Sequence, residues 1–299
     1  MTGIAGEGLL DPAFMARLER IELIARRLQT GEARGDVTTR RRGPGSLFRE
    51  HKNYSQGDDV RFVDWNVYSR LGELLVKQFD ADENLDLTLY VDASGSMDFG
   101  QRRKLDFALR IAAIVGYIGL ARQASVRLLF LPRRAGEDGG AIFFGKRRVQ
   151  PFLTALDARR EARGGTDFLR EFRAAAGSRR GRGLAIVISD FFSETGYEKG
   201  LDFLLHAGYR VGAVQVLDVL DARPDLDGRL RLADLESPRT LERIVTRRML
   251  DEYEAEVRRW CEGLARFCGR RGIAQVSLDT AWDFDRVLRS LLAGGGFAR

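Results

Sequence analysis

A carboxylate and two hydroxyls follow one another closely where an apolar run of the sequence ends. The run over residues 87–91 reads Leu-Thr-Leu-Tyr-Val, and Asp92, Ser94 and Ser96 come directly after it as a D-x-S-x-S string. Branched and aromatic residues bounded by Ser and Gly predict a buried strand that stops at a tight turn. Because ligands of an open parallel sheet bind beyond the carboxyl ends of its strands, these side chains are candidate ligands. Their hard oxygens suit Mg²⁺, Mn²⁺ or Ca²⁺ and do not suit zinc.

Two further segments place oxygen-bearing side chains where such a site would need them. Thr166 lies in a Gly-Gly-Thr-Asp turn before a helical pattern, and Asp190 ends a second apolar run over residues 184–188. Each has an ordinary structural interpretation, because Thr is a good N-terminal helix cap and Asp190 could cap the helix that follows. Three oxygen-bearing turns together favour a cation site. We therefore predict one metal site made of Asp92, Ser94, Ser96, Thr166 and Asp190.

This set of residues resembles the metal-ion-dependent adhesion site of von Willebrand factor A domains. That site combines a D-x-S-x-S string, a threonine loop and an aspartate after a strand, and all five positions are filled in this sequence. The resemblance implies an ion, Mg²⁺ before Mn²⁺ or Ca²⁺, held directly by Ser94, Ser96 and Thr166. Asp92 and Asp190 would act mainly through bound water. An ion with few direct carboxylates stays electrophilic and can accept an acidic residue from a partner.

The remaining sequence predicts the elements that position this site. From Leu85 onward, strand and helix patterns alternate along the chain. Such alternation predicts an α/β fold with a doubly wound, mostly parallel sheet and helices on both faces, Rossmann-like or von Willebrand factor A-like. A long helix follows, with an apolar stripe from Leu250 to Phe267, before a last strand and a last helix. The predicted strands span residues 87–92, 126–131, 141–144, 184–190, 211–217 and 274–278, and the predicted helices span 103–122, 149–158, 168–176, 198–206 and 285–292.

The sequence pattern of the first part of the chain differs from that of the rest. Residues 11–30 predict a helix with one apolar face, whereas Gly, Pro, Asn and Asp punctuate short apolar runs over residues 35–84. Such punctuation is typical of β structure joined by turns. We therefore divide the chain into residues 1–84, an N-terminal helix with a small β-rich appendage, and residues 85–299, a von Willebrand factor A-like domain with a C-terminal helical extension.

A charged stretch in the predicted appendage carries a second resemblance. Residues 54–65 read Tyr-Ser-Gln-Gly-Asp-Asp-Val-Arg-Phe-Val-Asp-Trp, and Ser69 and Arg70 follow. This is similar to the Y-x-x-G-D-D-x-R-x-x-D-W…A-R pattern of a bacterial family called domain of unknown function 58, whose members carry a von Willebrand factor A-like domain. Ser69 departs from the common Ala, and Leu47 from an acidic residue before Phe48. We interpret the charged residues of the pattern as a salt-bridged turn in preference to a second active site.

The family resemblance implies a function as well as a fold. Its members resemble adaptor-like partners of MoxR-type AAA+ ATPases in the assembly or maturation of other proteins. For this chain, the implied function is a non-enzymatic, metal-dependent protein-interaction module. Its partner, such an ATPase or its client, would supply an acidic residue to the metal.

The sequence gives little support to a catalytic function. The spacing of Gly and Lys over residues 140–146 imitates a phosphate-binding loop, but Arg147 stands where a Ser or Thr should hold Mg²⁺. Ser94 occupies the position at which a D-x-D phosphatase needs an acid. Neither Ser94 nor Ser96 lies in a G-x-S-x-G nucleophile elbow. We predict no enzymatic activity, and the alternative is a metal-dependent hydrolase or phosphatase that uses the same cation.

Composition and charge limit the other classes of protein to which this chain could belong. The 299 residues include 49 Lys and Arg against 43 Asp and Glu, a net charge of +6. The sequence contains several clusters of Arg, which could bind an acidic protein as well as phosphate. No recognised nucleic-acid-binding motif accompanies these clusters. The longest apolar stretch, residues 111–121, is too short to span a bilayer, and no signal-peptide pattern opens the chain. Cys261 and Cys268 lie two helical turns apart, so we expect reduced thiols and a cytoplasmic location.

Overall fold

Contacts along the chain define two compact units. One comprises Leu28–Leu85, and the other, here called the α/β unit, joins Met1–Arg27 to Asp86–Arg299. The computed structural model describes the chain over residues 8–20, 48–53, 67, 75–79, 86–134, 139–176, 183–226, 228–236 and 240–293.

The smaller unit contains an antiparallel pair of strands. Strand β1 (Phe48–Asn53) pairs with β2 (Leu75–Phe79), with Asn53 opposite Leu75 and an irregular register between Phe48 and Glu50. The charged pattern over residues 54–65, together with Ser69 and Arg70, lies outside the described residues. Its interpretation as a salt-bridged turn therefore stays a prediction.

The first helix belongs to the α/β unit. Helix α1 covers residues 12–20, and the Asp11 carboxylate accepts a hydrogen bond from the Ala13 amide at 2.8 Å. Phe14 and Leu18 are buried, and the Phe14 ring meets Phe284 edge-on with centroids 6.4 Å apart. The sequence pattern places this helix with the β-rich appendage of residues 1–84. The structure groups it with the α/β unit because its apolar face is part of that unit's core. The predicted continuation over residues 21–30 lies outside the described residues.

A six-stranded sheet forms the centre of the α/β unit. Its strands are β3 (Asp86–Asp92), β4 (Ser125–Leu131), β5 (Ala141–Phe144), β6 (Leu184–Ser189), β7 (Arg210–Leu217) and β10 (Ala274–Asp279). Their spatial order is β10-β7-β6-β3-β4-β5; five strands are parallel, and β5 runs antiparallel to β4 at one edge. This confirms the predicted α/β fold with a doubly wound, mostly parallel sheet. Two further strands, β8 (Gly228–Ala233) and β9 (Thr240–Val245), form a separate antiparallel hairpin that was not predicted from the sequence.

The strand order fixes where a ligand would bind. From β3 the chain continues to β4 and β5 on one side, and it then returns to β6, β7 and β10 on the other side. The order therefore reverses between β3 and β6, and the crevice at the carboxyl ends of two such strands is the usual binding site of doubly wound sheets. Asp92 ends β3, and Asp190 directly follows β6.

Helices cover both faces of the sheet because successive strand residues point to opposite sides. The helices after α1 are α2 (Lys104–Ala121), α3 (Val149–Asp157), α4 (Phe168–Ala176), α5 (Glu198–His206), α6 (Val219–Ala222), α7 (Arg247–Arg271) and α8 (Phe284–Ala293). Leu89 and Val91 of β3 belong to the core that includes α1, α2, α3 and α8, whereas Tyr90 belongs to the core that includes α4, α5 and α7.

Among the described residues, no helix is both long and apolar enough to cross a membrane. Cys261 and Cys268, both in α7, are free thiols.

Candidate metal site

The Asp92 carboxylate connects three segments of the chain at the carboxyl end of the sheet. Its Oδ1 accepts hydrogen bonds from the Ser94 amide and from Thr166 Oγ1, each at 2.9 Å. Its Oδ2 accepts a hydrogen bond from Ser189 Oγ at 2.5 Å. Asp92 is 2% exposed, so these contacts are shielded from water. The D-x-S-x-S turn, the threonine loop and the end of β6 therefore meet at one buried carboxylate.

The two serines lie side by side on the D-x-S-x-S turn. A short 3-10 helix over Gly95–Asp98 brings Ser94 Oγ within 3.1 Å of Ser96 Oγ. Ser94 is buried and Ser96 is partly exposed. The threonine loop is fastened to this turn, because the Gly95 amide donates to the Gly164 carbonyl at 2.8 Å. The structure thus brings together four of the five predicted ligands, Asp92, Ser94, Ser96 and Thr166.

Asp190, the fifth predicted ligand, lies beside this group and is fully buried. Its Oδ1 accepts a hydrogen bond from the Phe192 amide at 3.0 Å, and its Oδ2 accepts one from Lys104 Nζ at 2.8 Å. The intervening Phe191 has a φ of 62°, which is strained for an aromatic residue. Its ring stacks on Phe168 with centroids 5.7 Å apart, and this packing holds the turn in place.

Lys104 counters the charge of Asp190, and our sequence analysis did not single it out. The ammonium group is 1% exposed and lies between Asp190 and Asp221, 2.9 Å from Asp221 Oδ1. Burial alone would lower the pKa of Lys104, but the two carboxylates raise it above its ordinary value. Asp221 is itself fixed, because its Oδ2 accepts a hydrogen bond from the Asp218 amide at 2.8 Å.

The site is unfavourable for two buried negative charges. The pKa of Asp92 is raised to about 6, chiefly by burial and secondly by the negative charge of Asp190. Hydrogen bonds from Ser189 and Ser94 act in the opposite direction. A divalent cation between these groups would favour their charged forms. The oxygen-only donor set suits Mg²⁺, Mn²⁺ or Ca²⁺.

Hydroxyl groups make up much of this donor set. Within the described residues, no group of three or more His, Cys, Asp or Glu side chains is placed to hold a metal ion. Any cation at this position would therefore depend on Ser94, Ser96 and Thr166 as well as on the two aspartates. Hydroxyls are weaker ligands than carboxylates, and such a site leaves more of the ion's charge available to an outside acid.

A further carboxylate reaches the site from the β8–β9 hairpin. The hydroxyl and the amide of Ser96 both hydrogen-bond to the Glu236 carboxylate. Burial raises the pKa of Glu236, and these two hydrogen bonds oppose the shift. A cavity of about 410 Å³ adjoins the site, with Gly165, Glu236 and Trp260 among its lining residues. No motif in the sequence links Glu236 to Ser96, 140 positions earlier, because the contact depends on how the hairpin folds back.

Sequence comparison finds relatives over most of the chain. The profile of the family described as "Protein of unknown function DUF58" matches residues 50–262. An uncharacterized protein of Mycobacterium bovis is 29% identical over 279 residues, which cover 92% of this chain and 87% of that protein. An uncharacterized protein of Mycobacterium tuberculosis matches with the same identity and coverage.

Two solved structures show a distant similarity. The conserved hypothetical protein BatB from Bacteroides thetaiotaomicron is 14% identical, with a TM-score of 0.41 over 70% of this chain and 96% of that chain. An aerotolerance-related membrane protein from Bacteroides fragilis is 15% identical, with a TM-score of 0.34 over 70% of this chain and 98% of that chain. We infer nothing about function from similarity at this level.

Proposed function

Because this chain belongs to the DUF58 family, whose description assigns no activity, we propose its function from the site itself. We propose a non-enzymatic protein-interaction module that binds a divalent cation through Asp92, Ser94, Ser96, Thr166 and Asp190. The observation that supports this most is the 2.9 Å bond between Thr166 Oγ1 and Asp92 Oδ1. It joins residues 74 positions apart at the point where the strand order reverses.

The contacts of each residue suggest its role toward the ion. The hydroxyls of Ser94, Ser96 and Thr166 would hold the cation directly. Both oxygens of Asp92 already accept hydrogen bonds, and one oxygen of Asp190 is taken by Lys104. Both aspartates are therefore suited to act through bound water and by orienting the hydroxyls. When bound, the ion supplies a positive charge with coordination positions open to an outside carboxylate.

The same contacts favour binding over hydrolysis. A metal-dependent hydrolase would need a general base or a nucleophile among the residues around the ion. The carboxylates of Asp92 and Asp190 are engaged in hydrogen bonds, and Lys104 is held between two aspartates. We therefore propose that the acid recognised by the ion belongs to a protein partner. The resemblance of residues 54–65 to the family pattern suggests a MoxR-type AAA+ ATPase or its client.

Partner binding through the cation should be lost when the ion or a hydroxyl ligand is removed. We expect EDTA and Thr166→Val each to weaken binding of a candidate MoxR-type ATPase about a hundredfold, because one charge-assisted contact disappears. Pull-downs quantified over a range of partner concentrations would measure this. The exposed basic residues Lys146, Arg147 and Arg148 should provide a second component of partner binding. This component should weaken as salt is added and should be unaffected by EDTA.

The control for Thr166→Val is Thr195→Val, which removes an exposed hydroxyl from the loop after β6. Thr195 bonds to Ser193 Oγ at 3.1 Å and contacts none of the five proposed ligands in the described hydrogen bonds. It should leave partner binding and its sensitivity to EDTA unchanged. Binding that is insensitive to both EDTA and Thr166→Val would show that the cation site has no part in recognition.

A further inference from the structure

Leu235 and Glu236, which follow β8 and are here called the hairpin tip, lie on the candidate metal site. A Cβ atom added to Gly95 would lie 2.1 Å from the carbonyl oxygen of Leu235, so the two backbones are in direct contact. A Cβ added to Gly165 would lie 2.8 Å from Glu236 Oε2. Gly95 separates Ser94 from Ser96, and Gly165 precedes Thr166. Glycine at these two positions therefore leaves the space in which the hairpin tip meets both ligand-bearing loops.

The Glu236 carboxylate faces the site but is only partly satisfied there. It accepts hydrogen bonds from the hydroxyl and the amide of Ser96. Its Oε1 atom is buried and has no hydrogen-bond partner. An unsatisfied buried carboxylate oxygen is costly, and it calls for a cation or water in that position. The negative charges of Asp92 and Asp190 also raise the pKa of Glu236, and a nearby cation would offset this repulsion.

We propose that Glu236 is an internal ligand of the cation and occupies the coordination position that a partner's acid would take. This inference rests on the proposed function, since it needs a cation at the site. The hairpin then acts as a tethered competitor, because an acid held in the same chain has a high effective concentration at the ion. A partner's carboxylate must displace Glu236 before it can bind. The affinity of Glu236 for the ion therefore determines how tightly a partner must bind.

The hairpin is built so that its tip can leave the site. Side chains of β9 are exposed from Thr240 to Ile244, and the Ile244 side chain is 66% exposed. Of the β9 residues, only Val245 at the base is buried. Raising the tip would therefore uncover little apolar surface, and segments with few buried contacts open at low free-energy cost. The Glu236 amide donates to Asp234 Oδ1 at 2.9 Å, which fixes the backbone directly before the Glu236 side chain.

Water-proton relaxation of the full-length protein titrated with Mn²⁺ tests this inference, because it reports both the affinity and the number of waters on the bound ion. Glu236→Ala is expected to weaken Mn²⁺ binding about tenfold, the lower end of the cost of losing one charge-assisted contact, because water replaces the lost carboxylate at the ion. The vacated position should take up about one additional water, since Mg²⁺-type ions fill open positions with water. Millimolar acetate should then displace that water in Glu236→Ala and change nothing in the wild type.

Two further variants make the result specific. Glu236→Gln keeps the shape of the side chain and should also weaken Mn²⁺ binding, which separates loss of the charge from a disturbed hairpin. Glu194→Gln removes one exposed acid from the lining of the same cavity and should change neither affinity nor hydration. Equal affinity and equal hydration in the wild type and Glu236→Ala would overturn the internal ligand and leave the proposed function standing. Absence of Mn²⁺ binding by the wild type would overturn both.

Discussion

Replacing Lys104 with methionine is expected to destabilise the α/β unit by about 3–5 kcal/mol, the usual cost of removing one partner from a buried ion pair. The Lys104 ammonium contacts Asp190 and Asp221 at 2.8 and 2.9 Å, and all three side chains are buried. Methionine would fill much of the same space but leave two buried carboxylates without a counter-charge. The free energy of unfolding from urea titrations would measure this change.

Two controls bear on the Lys104 prediction. The neighbouring Arg103 pairs with Asp98 and Asp106 at the surface, so Arg103→Met should change stability by less than about 1 kcal/mol. Adding Asp221→Asn to Lys104→Met should restore part of the lost stability, because one of the two unpaired charges is then removed. If Lys104→Met and Arg103→Met were equally stable, the buried charge cluster would not have the energetic role we assign to it.

Asp92→Asn is expected to reduce Mg²⁺ affinity by about a hundredfold or more while the domain stays folded. The variant loses the negative charge that attracts the ion, but an asparagine oxygen can still accept the bonds from the Ser94 amide and Thr166 Oγ1. Because burial and Asp190 raise the pKa of Asp92, removing its charge also relieves a repulsion in the protein without metal. Calorimetric titration with Mg²⁺ and thermal unfolding by circular dichroism would measure the two effects.

The matched control for Asp92→Asn is Asp98→Asn. Asp98 lies on the same 3-10 turn, its side chain is 51% exposed, and it pairs with Arg103. Removing its charge should change Mg²⁺ affinity only slightly, because exposed charges are screened by salt. An Asp92→Asn variant with wild-type Mg²⁺ affinity would contradict the assigned role, and global unfolding would show that Asp92 is needed mainly for structure.

Much of the fold could be predicted because its signals are local. Apolar runs such as residues 184–188 must be buried on both faces, and their alternation with helical patterns leaves few arrangements besides a parallel sheet. The predicted placement of Asp92 and Asp190 at the carboxyl ends of buried strands followed from the same reasoning, whereas the pairing of those two strands came from the structure. The β8–β9 hairpin was missed, and its exposed β9 side chains explain why: it lacks the buried apolar face that marks a strand in sequence.

The neighbours of the predicted ligands could not be derived in this way. Lys104 is the first residue of a mostly apolar helix, a position that by itself suggests a solvated end, and its partner Asp221 lies 117 positions away. Ser189 is the last residue of a buried strand, and its hydroxyl donates to Asp92 and accepts from the Phe191 amide. Glu236 reaches Ser96 through the path of the hairpin. Side chains that meet through tertiary folding leave no spacing in the sequence that could be recognised.

The most direct measurement is the anomalous scattering of Mn²⁺ in crystals of the full-length protein grown with the ion. Our account predicts one strong peak at the carboxyl end of the sheet, within coordination distance, about 2 Å, of the hydroxyls of Ser94, Ser96 and Thr166. It also predicts that this peak is absent from isomorphous crystals of Asp92→Asn. A peak elsewhere in the molecule, or no peak at saturating Mn²⁺, would contradict the cation site on which the proposed function depends.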